Sequence, residues 1–182
     1  MKSLQIFQEI GDRAGEAATW HQLASIDLDQ GNHKDAKEKF MKSLQITQEI
    51  GDRALEASTW HQLASIDLDQ DNHKDAKEKF MKSLQIKQEI GDRAGEAATW
   101  HQLGFLAIGQ RRKAEGIRLV ALCYLIDKSI GHGDQERDLG TLSSIASELD
   151  YSRELFSVML RDVNESYRRD GGKALIESAF PH

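Results

Sequence analysis

The chain has 182 residues with 24 basic and 30 acidic side chains, a net charge of −6; nucleic acid is excluded as the main partner, because phosphate binding concentrates lysine and arginine into a basic stripe. No run approaches the roughly 18 consecutive apolar residues of a membrane span and the start lacks a charged-then-apolar leader, so a cytoplasmic protein with no membrane partner is expected. The single cysteine, Cys123, lies among Ala121, Leu122, Tyr124 and Leu125, has no partner for an internal disulfide and reads as a buried thiol in a reducing compartment.

Residues 1–40 align on 41–80 with four changes, Phe7 to Thr47, Gly15 to Leu55, Ala18 to Ser58 and Gly31 to Asp71, and 81–103 follow the same text before it drifts. A fixed period of this size marks a solenoid, in which each unit relies on stacked neighbours to cover its apolar face. Met1 holds the repeat position of Met41 and Met81, so residues 1–10 read as the later part of a helix B without its helix A, as if cut from a longer array. Leu4, Phe7 and Ile10 are then expected to leave an apolar edge suited to self-association.

Gly11-Asp12 is a breaker followed by an N-cap, with Glu16 at the positive end of a helix dipole, so helix A is expected over 13–30. Gly31 suits the left-handed residue after a helix, and Asn32 with Asp35 resembles a capping box opening helix B over 34–50. Asp71 replaces that glycine in the second unit, where a positive φ makes the turn less stable. Ala17, Trp20, Leu23 and Ala24 share one face of helix A, and Ala36, Phe40, Ser43 and Leu44 one face of helix B; Lys34, Glu38 and Lys42 fall on the outside. After Arg111 helical spacing persists over 113–130, 135–149, 152–169 and 172–179, with Gly131 to Asp134 as a turn. The expected organisation is therefore a partial repeat at 1–10, three helix pairs at 11–130 and a degenerate repeat with capping helices at 131–182.

Trp20-x-x-Leu23-Ala24 with Ala36-x-x-x-Phe40, and the third version Trp100-x-x-Leu103-Gly104, resemble the tetratricopeptide repeat signature. The 40-residue period is similar to that of kinesin light chains, spindle-orientation adaptors and bacterial signalling arrays. The resemblance implies an all-α, right-handed α-solenoid of antiparallel helix pairs, and it places the tryptophans and phenylalanines between helices A and B. Where the family carries an aromatic, Asp27 and Asp67 stand here; a carboxylate at a packed position needs a partner, and His33 or a lysine on helix B is expected to supply it. The family's terminal proline is missing.

His21, Ser25 and Asp29 lie one turn apart on helix A, but the acid sits beyond the serine and away from the histidine, which is the wrong order for a Ser-His-Asp relay; no enzyme is expected. The histidines recur a whole repeat apart, too far for shared zinc ligation, and neither a CxxC nor a phosphate loop is present, so no metal site or cofactor is expected. Instead, the resemblance implies a concave groove lined by helix A and a protein or peptide partner. Its positions map onto His21, Gln22, Ser25, Leu28 and Asp29, then His61, Gln62, Ser65, Leu68 and Asp69, then His101, Gln102, Phe105 and Ile108. Gln22, Gln62 and Gln102 stand where related arrays use asparagine to grip a peptide main chain, an amide being both donor and acceptor. The lysine and asparagine set that clamps a C-terminal carboxylate is absent, and Asp29 and Asp69 favour a peptide bearing Lys or Arg. Histidines in the groove are expected to make affinity change near pH 6. The alternative reading is a regulatory or structural segment of a larger signalling protein that packs on its own domains or self-associates.

Overall fold

The computed structural model describes residues 2–133 and 135–181. The expectation for the repeat position of Met1 and the last residue of the Gly131 to Asp134 turn lie outside the described residues. The described chain is all α-helical, with α1 (Lys2–Ile10), α2 (Arg13–Asp29), α3 (His33–Ile50), α4 (Arg53–Asp69), α5 (His73–Ile90), α6 (Arg93–Gly109), α7 (Lys113–Ile130), α8 (Gln135–Glu148), α9 (Arg153–Asp170) and α10 (Lys173–Ala179). It forms two compact units, Met1–Gly91 and Asp92–His182.

Helix starts follow the expected aspartates. The Asp12, Asp52 and Asp92 carboxylates accept from the backbone N–H of Gly15, Leu55 and Gly95 at 2.9, 3.0 and 2.9 Å, satisfying donors that the first turn leaves open. The capping box at Asn32 is not formed. Asn32 occupies the N-cap position without accepting from the first turn, and its amide donates instead to Gln30 Oε1 at 3.4 Å. The preceding turn does take the left-handed conformation, at φ 76° in Gly31 and 59° in Asp71; Arg111 takes it at the third occurrence with φ 64°. Two of three copies thus place a side chain where a Cβ crowds the next carbonyl.

In the first unit the core consists of Ala24, Ala36, Phe40, Leu44, Leu63 and Ile66, with Leu28 and Trp60 packed against it. α2 pairs with α3 and α4 with α5, and α3 also packs on α4. Alanines on the facing surfaces of α2 and α3 let the helices approach, and the buried Ser43 and Ser83 hydroxyls tie each pair together by donating to the Ala17 and Ala57 carbonyls at 2.9 and 2.8 Å. Asp67 is fully buried and is held by Lys37 of α3, at 2.7 Å, and by Lys79 of α5; Asp27 is held by Lys39. The partner of the misplaced carboxylate is therefore a lysine on helix B, and Lys37 reaches it from the preceding pair.

The tryptophans are not equivalent. Trp20 and Trp60 are half-buried beneath the Lys42 and Lys82 ammonium groups, 4.2 and 4.3 Å from the ring centroids. Trp100 is fully buried in the second unit, where Gly172 approaches so closely that a Cβ there would lie 2.7 Å from the ring. In that unit α6 pairs with α7, and α8, α9 and α10 all pack on α7. The Tyr167 hydroxyl of α9 donates to Glu96 Oε1 at 2.7 Å and is itself engaged by Arg93. In the first unit the corresponding arginines, Arg13 and Arg53, instead reach Glu49 and Glu89 at 2.5 Å. The apolar residues expected at the N-terminal edge divide: Leu4 is buried and Phe7 half-buried against α2, whereas Ile10 is 68% exposed; Ile26 of α2, which was not among them, is 52% exposed.

Candidate functional site

The expected groove positions fall on α2 and α4 in the first unit and on α6 in the second. α2 and α4 are held side by side by His21, whose Nδ1 lies 3.1 Å from the Thr59 hydroxyl. Each helix shows the same division of labour along its length, because side chains four apart stack on one stripe and those one residue off turn toward the open side.

The histidines are wall residues. The His21 ring packs edge-on against Phe40, with centroids 5.0 Å apart, and His61 does the same against Phe80 at 5.2 Å. Burial lowers the pKa of both, and in His61, where Lys87 adds like charge, it falls to about 4. His61 is neutral at pH 6, so the pH-dependent affinity expected there does not arise from it. The serines are also engaged: the Ser25 and Ser65 hydroxyls donate to the carbonyls of His21 and His61, four residues back, at 3.1 Å. Neither serine meets an imidazole base, so the His21, Ser25 and Asp29 set has no nucleophilic geometry.

What remains open is the amide and carboxylate set. Gln22, Asp29 and Asp69 are exposed, and Gln62 is half-exposed. No hydrogen bond among the described residues engages the side chains of Gln22, Gln62 or Gln102. Leu28 and Leu68 are half-buried beside them. In the second unit His101 and Gln102 are half-buried and Phe105, in the place of Ser25 and Ser65, is 40% exposed with its ring 4.7 Å from His101. That unit also has a polar cleft between α7, α9 and α10, lined in part by Arg118, Asp162, Glu165 and Arg169. Its drifted sequence carries no repeat position that would have announced it. Thr59, which fixes His21, was equally hidden, since its role depends on the neighbouring helix.

The chemistry open to the α2–α4 face is recognition: amides that donate and accept, and carboxylates that attract a cation. Among the described residues no helix is long and apolar enough to cross a membrane. The tetratricopeptide repeat family model matches residues 17–50 and 57–90. No curated protein matches the chain. Among solved structures, the crystal structure of BtubC (BKLC) from P. vanneervenii is similar with a TM-score of 0.69 at 15% identity, over 88% of this chain and 66% of that one. At that identity the likeness is one of fold, a helical-repeat solenoid, and the chain spans just under two thirds of its neighbour's length.

Proposed function

Because this chain is a tetratricopeptide repeat protein, and such repeats generally mediate protein–protein interaction on a non-enzymatic scaffold, we propose that it holds an extended peptide segment of a protein partner along the helix-A face. The observation that carries this reading is the ladder of uncommitted amides, Gln22 and Gln62 at the 40-residue period, on helices that are locked together beneath them. Gln22 and Gln62 address the peptide main chain, and Gln102 is the corresponding amide of the second unit. Asp29 and Asp69 select a ligand with lysine or arginine, and Phe105 offers an apolar seat. His21, Ser25, His61, Ser65 and His101 form the wall behind them. In the first unit the helix pairs over 11–90 carry this face, and in the second residues 131–182 cap the α6–α7 pair.

Fluorescence anisotropy with a set of extended lysine-bearing peptides and their glutamate-substituted counterparts tests this. A basic peptide is expected to bind, with Gln22→Ala together with Gln62→Ala weakening it about tenfold, the worth of one or two hydrogen bonds. Equal binding of acidic and basic peptides, or undiminished affinity in the double variant, would sink the reading.

The second reading, self-association, draws on the exposed Ile10 and Ile26 of the first unit.

A further inference from the structure

Three buried side chains at the α7–α8 junction, one thiol and two carboxylates, lie against one another. Cys123 is 3% exposed, Asp127 5% and Asp138 1%. The thiol lies 3.7 Å from Asp127 Oδ2 and 3.5 Å from Asp138 Oδ2, and the three donor atoms all fall within 4.8 Å of one another. Buried carboxylates elsewhere at helix-A starts are answered by an arginine three residues earlier, as in the pairs Arg13–Glu16 and Arg53–Glu56 at 2.5 Å and Arg93–Glu96. Three residues before Asp138 the chain has Gln135, which brings no charge. The Arg137 guanidinium is 4.0 Å away on a side chain 68% exposed. Within the same few ångströms the chain adds a second carboxylate and, where Ser43 and Ser83 tie the earlier pairs, a thiol.

We infer that Cys123, Asp127 and Asp138 form a binding site for one thiophilic divalent cation, zinc by preference, inside the second unit. The spacing fits: with metal–sulfur and metal–oxygen bonds near 2.3 and 2.0 Å, a tetrahedral edge from sulfur to oxygen is about 3.5 Å. A thiolate in the set selects zinc over magnesium or calcium, which take all-oxygen shells. A cation there does for Asp138 what arginine does for Glu16 and Glu56, and it offsets the second carboxylate as well. Binding releases the thiol proton to solvent as the thiolate forms.

The full-length chain, stripped with chelator and titrated with cobalt(II) alone and then zinc alone, tests this. One equivalent of cobalt is expected to bring up a thiolate-to-cobalt charge-transfer band that zinc displaces, and saturating zinc to raise the melting temperature by about 5–10 °C. Cys123→Ser keeps the fold, because serine fills that place in the earlier repeats; it should abolish the band and weaken zinc at least a hundredfold. Asp138→Asn should weaken zinc comparably, with melting curves and far-ultraviolet dichroism confirming that both variants are folded. A band that persists in Cys123→Ser, or zinc affinity unchanged in either folded variant, would overturn the site. So would a stripped chain whose melting temperature zinc leaves in place.

Discussion

His61 lies edge-on to Phe80 with most of its ring out of water, and burial holds it down to about 4. A base whose folded pKa is depressed contributes stability that is fully present above its unfolded value, near 6.5, and is lost as pH falls toward the folded value. Between pH 6.5 and 4 the unfolded chain takes up a proton that the folded chain refuses. Denaturant melts across that window should therefore show the native chain losing stability faster than His61→Gln; parallel slopes would show that this ring does not govern the acid limb. His21, lowered in the same direction by burial, acts in the same sense. The histidines of the helix-A face thus contribute to the integrity of the wall.

At the scale of elements, two of the four differences between the first and second repeats compensate each other. Phe7 of α1 closes over Gly15 of α2, and a Cβ on Gly15 would come within 2.4 Å of the Phe7 ring. The second repeat carries Thr47 and Leu55 at those places, exchanging a large–small pair for a small–large one. Gly15→Leu alone overpacks the α1–α2 contact and should cost about 1–3 kcal/mol. Adding Phe7→Thr recreates the second repeat's pair and should recover most of that loss. Additive losses in a double-mutant cycle would refute the coupling. The same scale explains Asp67: its carboxylate is buried only because α3 and α5 each deliver a lysine to it, so the ion pair records the stacking of one helix pair on the next.

At the scale of the molecule, the first unit leaves Ile10 and Ile26 in water, although Ile66, the counterpart of Ile26 one repeat later, is completely buried. The face that α3 covers on α4 is only partly covered by α1 on α2, and apolar surface of that kind finds partners. Light scattering over a wide concentration range is expected to show reversible association, weakened by Ile10→Lys with Ile26→Lys. A monomer at every concentration would count against this edge as a self-association surface. The second unit handles the same problem differently: α9 and α10 bring Tyr167 to Arg93 and Glu96 and Gly172 onto Trp100, leaving that tryptophan dry while Trp20 and Trp60 remain half in water.

The repeated letters were enough to locate the helices within a residue or two and to pair them, because a 40-residue period, Gly and Asp punctuation and 3.6-residue apolar spacing are local properties that any stack of such units must obey. The need of Asp27 and Asp67 for a partner was legible for the same reason, since a buried charge has few solutions, but the choice between His33 and a lysine of helix B was not. Burial decided the rest. Whether His21 faces a ligand or Phe40, whether Asn32 caps its helix, and which of Leu4, Phe7 and Ile10 stays wet all depend on what the next helix places opposite. The cluster of Cys123, Asp127 and Asp138 is likewise dispersed in the text and becomes one site only when α8 folds back on α7, because proximity across a turn is a property of packing that no spacing along the chain encodes.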